Sequence, residues 1–446
     1  MALSHLFLMF TCLAATSTSA PPSGVPGSSV GALPEPQAPP PAAPAFAVET
    51  LQGQRHEGRL TAWDGKRLTL LGADGKRQAL AADELLLVTA LTPAWLGAGA
   101  APSTPVAAAA RPDLLVLADA PDGHAGDRLW GRLVGGDPSG VHFSVEGSAT
   151  FEVPFERIGR LLPRVSRPVD QLMRLAGAGR DDRAWRSLPD GGLDGPTGVV
   201  DRVGDDSVVL DGALGPLAFP LDELLAVVFG DTEGVAAEPP GLPVVLRLAG
   251  GSRLTAGLLE LDERRLVLAT QFVDRLELPL ESLTSLLVRS PRVVALADLE
   301  PVAVEQWPSI GTPDDFLFPW RRDLSVTGRV LSVDGVPRAS GLGVHANARL
   351  TYQVPVGARA LRVGVGLVDE TAELPARGTV DFAVRAGDAL LAESGPLAEG
   401  APSAVLRVGT LPAGGRIELV CLDGGDDDAG DRAAWFDGVF LLGDVP

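Results

Sequence analysis

Apolar and polar residues alternate in short runs through much of this chain, as in "VHFSVE" (141–146), "TFEVPF" (150–155), "RLVLAT" (265–270) and "RLELPL" (275–280). A period of two is the signature of half-buried strands, and Gly and Asp punctuate the runs as turns would. The runs also recur at long range. Segments starting at Gly126 and Gly251 superpose without a gap, setting Asp137 on Asp262, Val141 and Phe143 on Leu266 and Leu268, Pro154 on Pro279, and Ile158 on Leu283. A segment from Gly53 puts Arg55, Gly58, Leu60 and Asp64 in register with Arg128, Gly131, Leu133 and Asp137. Another from Gly192 matches best in its second half, at Pro220, Leu224 and Val227.

The fold class expected is therefore mainly β. Tandem small β-barrel-like repeats span 47–91, 113–165, 186–231 and 240–290, loosely resembling Sm-like or SH3-like barrels. Units of ~40 residues bury little apolar surface alone, so neighbours should pack together. A helical connector is expected over 166–185, where Val169, Leu172, Met173 and Ala176 fall on one face after Pro168. Residues 21–46 and 92–112 are rich in Pro, Ala and Gly and read as linkers. From 292 the texture changes: "RLTYQV", "ALRVGVGLV", "TVDFAVRA", "AVLRVG", "RIELVC" and "GVFLLG" read as strands of a β-sandwich.

Charge and the N-terminus narrow the setting. A net charge of -20 and a pI near 4.7 argue against nucleic-acid binding. The apolar run Leu6–Ala15 followed by small residues reads as a signal peptide over 1–20, with an uncleaved anchor as the rival reading. No later segment has the ~20 apolar residues of a transmembrane span. A secreted, periplasmic or envelope-associated protein is expected. Cys421 is then the remaining cysteine, best read as a small buried strand residue.

Candidate chemistry is sparse. "GLGVHANARLTY" (341–352) has glycines and a histidine, but a strand follows where a phosphate loop needs a helix start. No G-x-S-x-G, Cys–His or H-E-x-x-H arrangement supplies His345 with a catalytic partner. Trp63 and Trp130 stand near matching positions of the first two repeats and suit packing, with sugar stacking the alternative. The repeats read as structural, and the chain as no enzyme.

Four pieces of the last third, in order, carry a family resemblance: "GLGVHANARLTY", "VGVGLVDET" (363–371), "SGPL" (394–397) and "DAGDRAAWFDGVFLL" (428–442). Residues 292–443 resemble the NPCBM family, a carbohydrate-binding module found beside glycoside hydrolases. The resemblance implies a galactose-binding-like jelly-roll sandwich and non-catalytic glycan binding. His345, Asn347, Arg349, Asp369, Glu370, Trp435 and Asp437 are of the types that bond sugar hydroxyls or cover a sugar ring. Each has a plainer role open to it: Trp435 in the core, His345 and Asn347 bracing a turn, Asp369 and Glu370 capping a loop. The chain departs from the family's His and Asp ahead of the tryptophan, reading Asp431, Arg432, Ala433, Ala434 instead. In "DGGDDDAGD" (423–431), Asp426, Asp428 and Asp431 could hold calcium or form a solvated acidic loop. The expected function is that of an exported, non-catalytic carbohydrate-binding protein whose partners are glycans or cell-envelope components. The alternative is a cell-envelope scaffold or protein-interaction protein with no sugar affinity.

Overall fold

A computed structural model describes residues 44–91, 111–118, 127–145, 147–167, 169–230, 238–309, 311, 318–373 and 378–443. The signal peptide and nearly all of both linkers lie outside these residues.

Each repeat is an antiparallel unit of five strands with one pairing order, to which the third adds the two-residue strand Leu193–Asp194 beside its first. In the second repeat the strands are Asp113–Leu117, Arg128–Asp137, Gly140–Val145, Phe151–Pro154 and Ile158–Leu162. Consecutive strands pair up to the fourth, and the fifth returns to lie beside the first. The fourth repeat repeats this with Leu242–Leu248, Arg253–Asp262, Arg265–Ala269, Leu276–Pro279 and Leu283–Val288. A single 3-10 turn leads into the last strand of both, at Phe155–Arg157 and Leu280–Ser282. The first unit opens on Phe46–Thr50 and the third on Asp182–Ser187, each a strand upstream of the turn residues that anchor the sequence overlay.

The units join through their edges, as small half-exposed sheets should. Ser285–Leu287 of the fourth repeat pairs with Leu87–Thr89 of the first, and Arg160 and Leu161 of the second pair with Val228 and Val227 of the third. One apolar cluster runs through all four, including Phe46, Phe143, Val208 and Leu266. The helix is shorter than its sequence pattern suggests: it covers Val169–Met173, so Ala176 lies beyond it. Leu172 is buried against Leu114 and Leu162, with Val169 and Met173 packed alongside.

The last third is a sandwich of two antiparallel sheets. One orders Arg321–Arg322, Gly341–His345, Arg432–Leu442, Ala358–Leu367 and Ala404–Val408, with Val293–Ala295 on the long strand. The other orders Ala303–Gln306, Ala348–Gln353, Arg416–Leu422, Thr379–Ala386 and Ala389–Ala398. Leu342, Tyr352, Val363, Phe382, Leu419 and Trp435 fill the space between them.

The sandwich is joined to the repeats by a seam that is apolar at Leu86, Leu87, Leu287, Ala339 and Val439 and ionic around them. Arg247 of the fourth repeat is 1% exposed and donates to the backbone carbonyls of Arg338, Gly251 and Asp323. Burial pulls its guanidinium down to about 9. Arg253 bridges Asp127 at 3.0 Å and Asp323 at 3.2 Å. These partners offset part of the cost of burying the charges. Among the described residues no helix is long and apolar enough to cross a membrane.

Candidate functional site

The glycine-rich stretch is a corner. Gly341–His345 ends one strand of the first sheet, a cis Ala346–Asn347 peptide follows, and Ala348 begins a strand of the second sheet. The glycines are there for packing: a Cβ on Gly343 would fall 2.2 Å from the Leu324 carbonyl oxygen. Neither cradles a phosphate.

Four side chains converge on this corner. The His345 ring stacks on Phe318, with centroids 4.8 Å apart and planes 10° from parallel, and its Nδ1 lies 2.6 Å from the Ala346 oxygen. Burial holds its imidazole below the ordinary histidine value, so it is neutral at neutral pH. The guanidinium of Arg432 sits 5.5 Å from the Phe318 ring, and its Nη1 lies 4.0 Å from Glu370 Oε1. Glu370 Oε2 accepts from the Thr327 hydroxyl at 2.7 Å and lies 3.7 Å from Arg329 Nε. His345, Phe318, Arg432 and Glu370 thus form one continuous polar and aromatic ridge, buried at His345 and Glu370 and half-buried at Phe318 and Arg432.

Asn347 turns the other way, toward the acidic loop. Its amide nitrogen lies 3.2 Å from Ser309 Oγ and 3.3 Å from Asp423 Oδ2, and its oxygen accepts from the Asp423 backbone at 3.2 Å. The Ser309 hydroxyl donates to Asp423 at 2.7 Å, its backbone to Asp428 at 2.8 Å. Hydrogen bonds from Ser309, with lesser help from Asn347, outweigh burial and hold the Asp423 carboxyl below its usual range.

The remaining candidates are placed elsewhere, which corrects the sequence expectation. Trp435 is 1% exposed and meets Phe382 edge-on in the core, centroids 5.0 Å apart, so its face is closed to any sugar. Asp437 is buried in the seam, at a bulge with φ 47°, its Oδ2 3.9 Å from Arg338 Nη1. Arg349 lies on the outer face of the second sheet between Glu305 and Glu418. Asp369 accepts from the Ser332 hydroxyl and the Gly335 backbone, bracing that turn. The side-chain carboxylates of Asp426, Asp428 and Asp431 do not converge on one point: among the described residues, Asp137, His142 and Glu152 are the group of side-chain ligand atoms close enough to share an ion. Asp431 is instead fully buried, one oxygen accepting from Thr379 N at 2.8 Å. Burial, with Asp426, Asp423 and Asp428 nearby, pushes its carboxyl up to about 7.

A groove of about 720 Å³ opens beside the ridge, between the second repeat, the helix and the sandwich. Trp130, Arg128, Arg174, Phe318, Arg321 and Arg329 are on its walls. Phe318 belongs to both groove and ridge. Sequence reasoning missed it, although the aromatic run "FLFPW" at 316–320, after the polar "GTPDD", was a usable signal. It also read Trp130 chiefly as packing, because the groove needs the sandwich to form its far wall.

Residues 294–441 match the family described as NPCBM/NEW2 domain. The chain is 30% identical over 118 residues, or 26% of its length, to alpha-1,3-galactosidase B of Akkermansia muciniphila, and spans 15% of that protein. Among solved structures it is similar to CBM51 from Clostridium perfringens GH95 in complex with methyl-galactose, at 19% identity and a TM-score of 0.29, covering 33% of this chain and 99% of that one. It is also similar to CBM51-2 in complex with GlcNAc and INT domains from Clostridium perfringens ZmpB, at 20% identity and a TM-score of 0.29, covering 41% of this chain and 38% of that one. On the family match, the last third of the chain, residues 294–441, carries an NPCBM/NEW2 domain. The likeness of the repeats to Sm-like or SH3-like barrels is not borne out by these comparisons.

Proposed function

We propose that this is an exported, non-catalytic glycan-binding protein, and that the glycan lies in the groove between the second repeat and the NPCBM domain. The observation that carries the reading is Phe318: one aromatic ring joins the His345–Arg432–Glu370 ridge to a groove whose opposite wall holds Trp130. Aromatic faces cover the apolar side of a sugar ring while guanidinium, amide and hydroxyl groups, here Arg128, Arg174, Arg321, Arg329, Gln171 and Thr327, bond its hydroxyls, and the volume falls in the range of small-ligand sites. The domain family supports the class of ligand, and the groove supports its position. On this reading the repeats are half of the site rather than a spacer. Because the curated relative is a galactosidase, galactose-terminated glycans are the first class to test.

A glycan array probed with the full chain tests the function. Selective capture of one group of glycans, lost in Phe318→Ala, is the expected result. Binding to no glycan, with envelope proteins captured instead, would favour a scaffold. Release of free sugar from a bound glycan would overturn the non-catalytic assignment.

A further inference from the structure

In the fourth repeat, Asp262 and Glu277 hold a cation between them. Arg265 Nε is 3.2 Å from Asp262 Oδ2, and its Nη1 is 2.7 Å from Glu277 Oε2. The gapless overlay places Asp137 and Glu152 at the same two positions of the second repeat, but Gly140 at the position of Arg265. Strand register agrees, for Gly140 faces Pro154 as Arg265 faces Pro279. A Cβ on Gly140 would stand 2.5 Å from the Val153 carbonyl oxygen, so this backbone cannot carry an arginine there. Both carboxylates are kept and the guanidinium is gone.

An imidazole has entered the same patch. His142 faces Glu152 across the strands, where the fourth repeat pairs Val267 with Glu277. His142 Nε2 lies 3.5 Å from Asp137 Oδ2, and ligand atoms of Asp137, His142 and Glu152 all fall within 4.8 Å of one another. Ser139 prepares the set: its backbone donates to Asp137 Oδ1 at 2.7 Å, and its hydroxyl lies between that carboxylate and Glu152 Oε1, at 2.7 Å from the latter. Asp137 Oδ2 is thereby left facing the imidazole.

We propose that Asp137, His142 and Glu152 bind a divalent transition-metal ion such as zinc, in place of the guanidinium that neutralises the sister pair. One imidazole and two carboxylates form a mixed nitrogen–oxygen set that suits zinc or cobalt better than calcium or magnesium, which take oxygen. Metal–ligand bonds of ~2.0–2.2 Å require these atoms to close to roughly 3.5 Å of one another. His142 and Asp137 are 39% and 45% exposed, so rotation of surface side chains suffices. Three protein ligands leave a position for water or an outside group.

The test is titration of the full chain with Zn2+ against a chromogenic chelator, and with Co2+ followed by its visible absorption. Wild type should bind the ion with a cobalt spectrum of low coordination number. His142→Val, which installs the residue of the fourth repeat, should weaken binding ~10–100-fold or more, since even an outer partner of a ligand contributes that much. Glu152→Gln should weaken it while leaving the unfolding midpoint of the metal-free chain unchanged. Absence of binding to wild type at a modest molar excess of metal, or equal affinity in wild type and His142→Val, would overturn the proposal.

Discussion

The Arg362 guanidinium of the sandwich closes on the Glu49 carboxylate of the first repeat at 2.6 Å (Nη2–Oε2) and 3.2 Å (Nε–Oε1). Arg407 approaches the same carboxylate at 2.7 Å. The Glu49 and Arg362 side chains are 14% and 7% exposed, so water does little to screen them. Burial alone would raise the Glu49 carboxyl, but the hydrogen bond and charge of Arg362, joined by Arg407, outweigh it and hold the group below the ordinary glutamate value.

Glu49→Ala should therefore destabilise the chain by ~3–5 kcal/mol at neutral pH, leaving a buried guanidinium without its partner. Because the folded carboxyl titrates below the unfolded one, the contribution of Glu49 is complete above the unfolded value of ~4.3 and is lost as pH falls through the folded value. Urea unfolding across an acid series should show a wild-type decline in that window that the variant lacks.

Trp435→Ala should act through folding. Removing a fully buried indole costs ~3–5 kcal/mol and leaves a cavity against Phe382. Any loss of ligand binding in this variant should track its lowered melting temperature. Phe318→Ala, on a half-buried ring at the groove, should keep the wild-type melting temperature within a few degrees while losing ligand.

Asp431 should weaken the fold at neutral pH. Its Oδ2 is buried without a hydrogen-bond partner, and the carboxyl titrates at about 7 in the folded chain. A raised folded value means the native state binds the proton more tightly than the unfolded state does. Stability attached to this group is then greatest below the unfolded value, declines as pH rises through the folded value of about 7, and levels off above it. Asp431→Asn keeps the acceptor for Thr379 and removes the charge, so it should stabilise the chain at pH 8 and much less at pH 4. Thermal melts at the two pH values decide it.

Much of the architecture was legible because its signals are local. Asp137 and Asp262 end a strand, Pro154 and Pro279 close the fourth strand, and the apolar residues between them alternate with period two. The site was less legible because the seam defeats that alternation. Arg432–Leu442 is buried on both faces, one against the sandwich core and the other against the repeats at Val439 and against Leu331, Val333 and Val368 at Ala434 and Phe436, so no polar face marks where the strand meets solvent. The bulge at Asp437 shifts register and carries that carboxylate into the seam, away from the parity shared with Trp435. Phe318 and Trp130 are far apart in sequence, and only the docking of the sandwich on the second repeat brings them to one groove.

Calorimetric titration of the best array glycan into wild type and Trp130→Ala bears most directly on where the ligand sits, because Trp130 lies outside the NPCBM domain. A drop in affinity of about tenfold or more, the scale of a lost aromatic contact in a binding centre, is expected with the melting temperature held. Equal affinity in the two proteins would show that the repeats take no part in recognition and would contradict a site shared between repeat and sandwich.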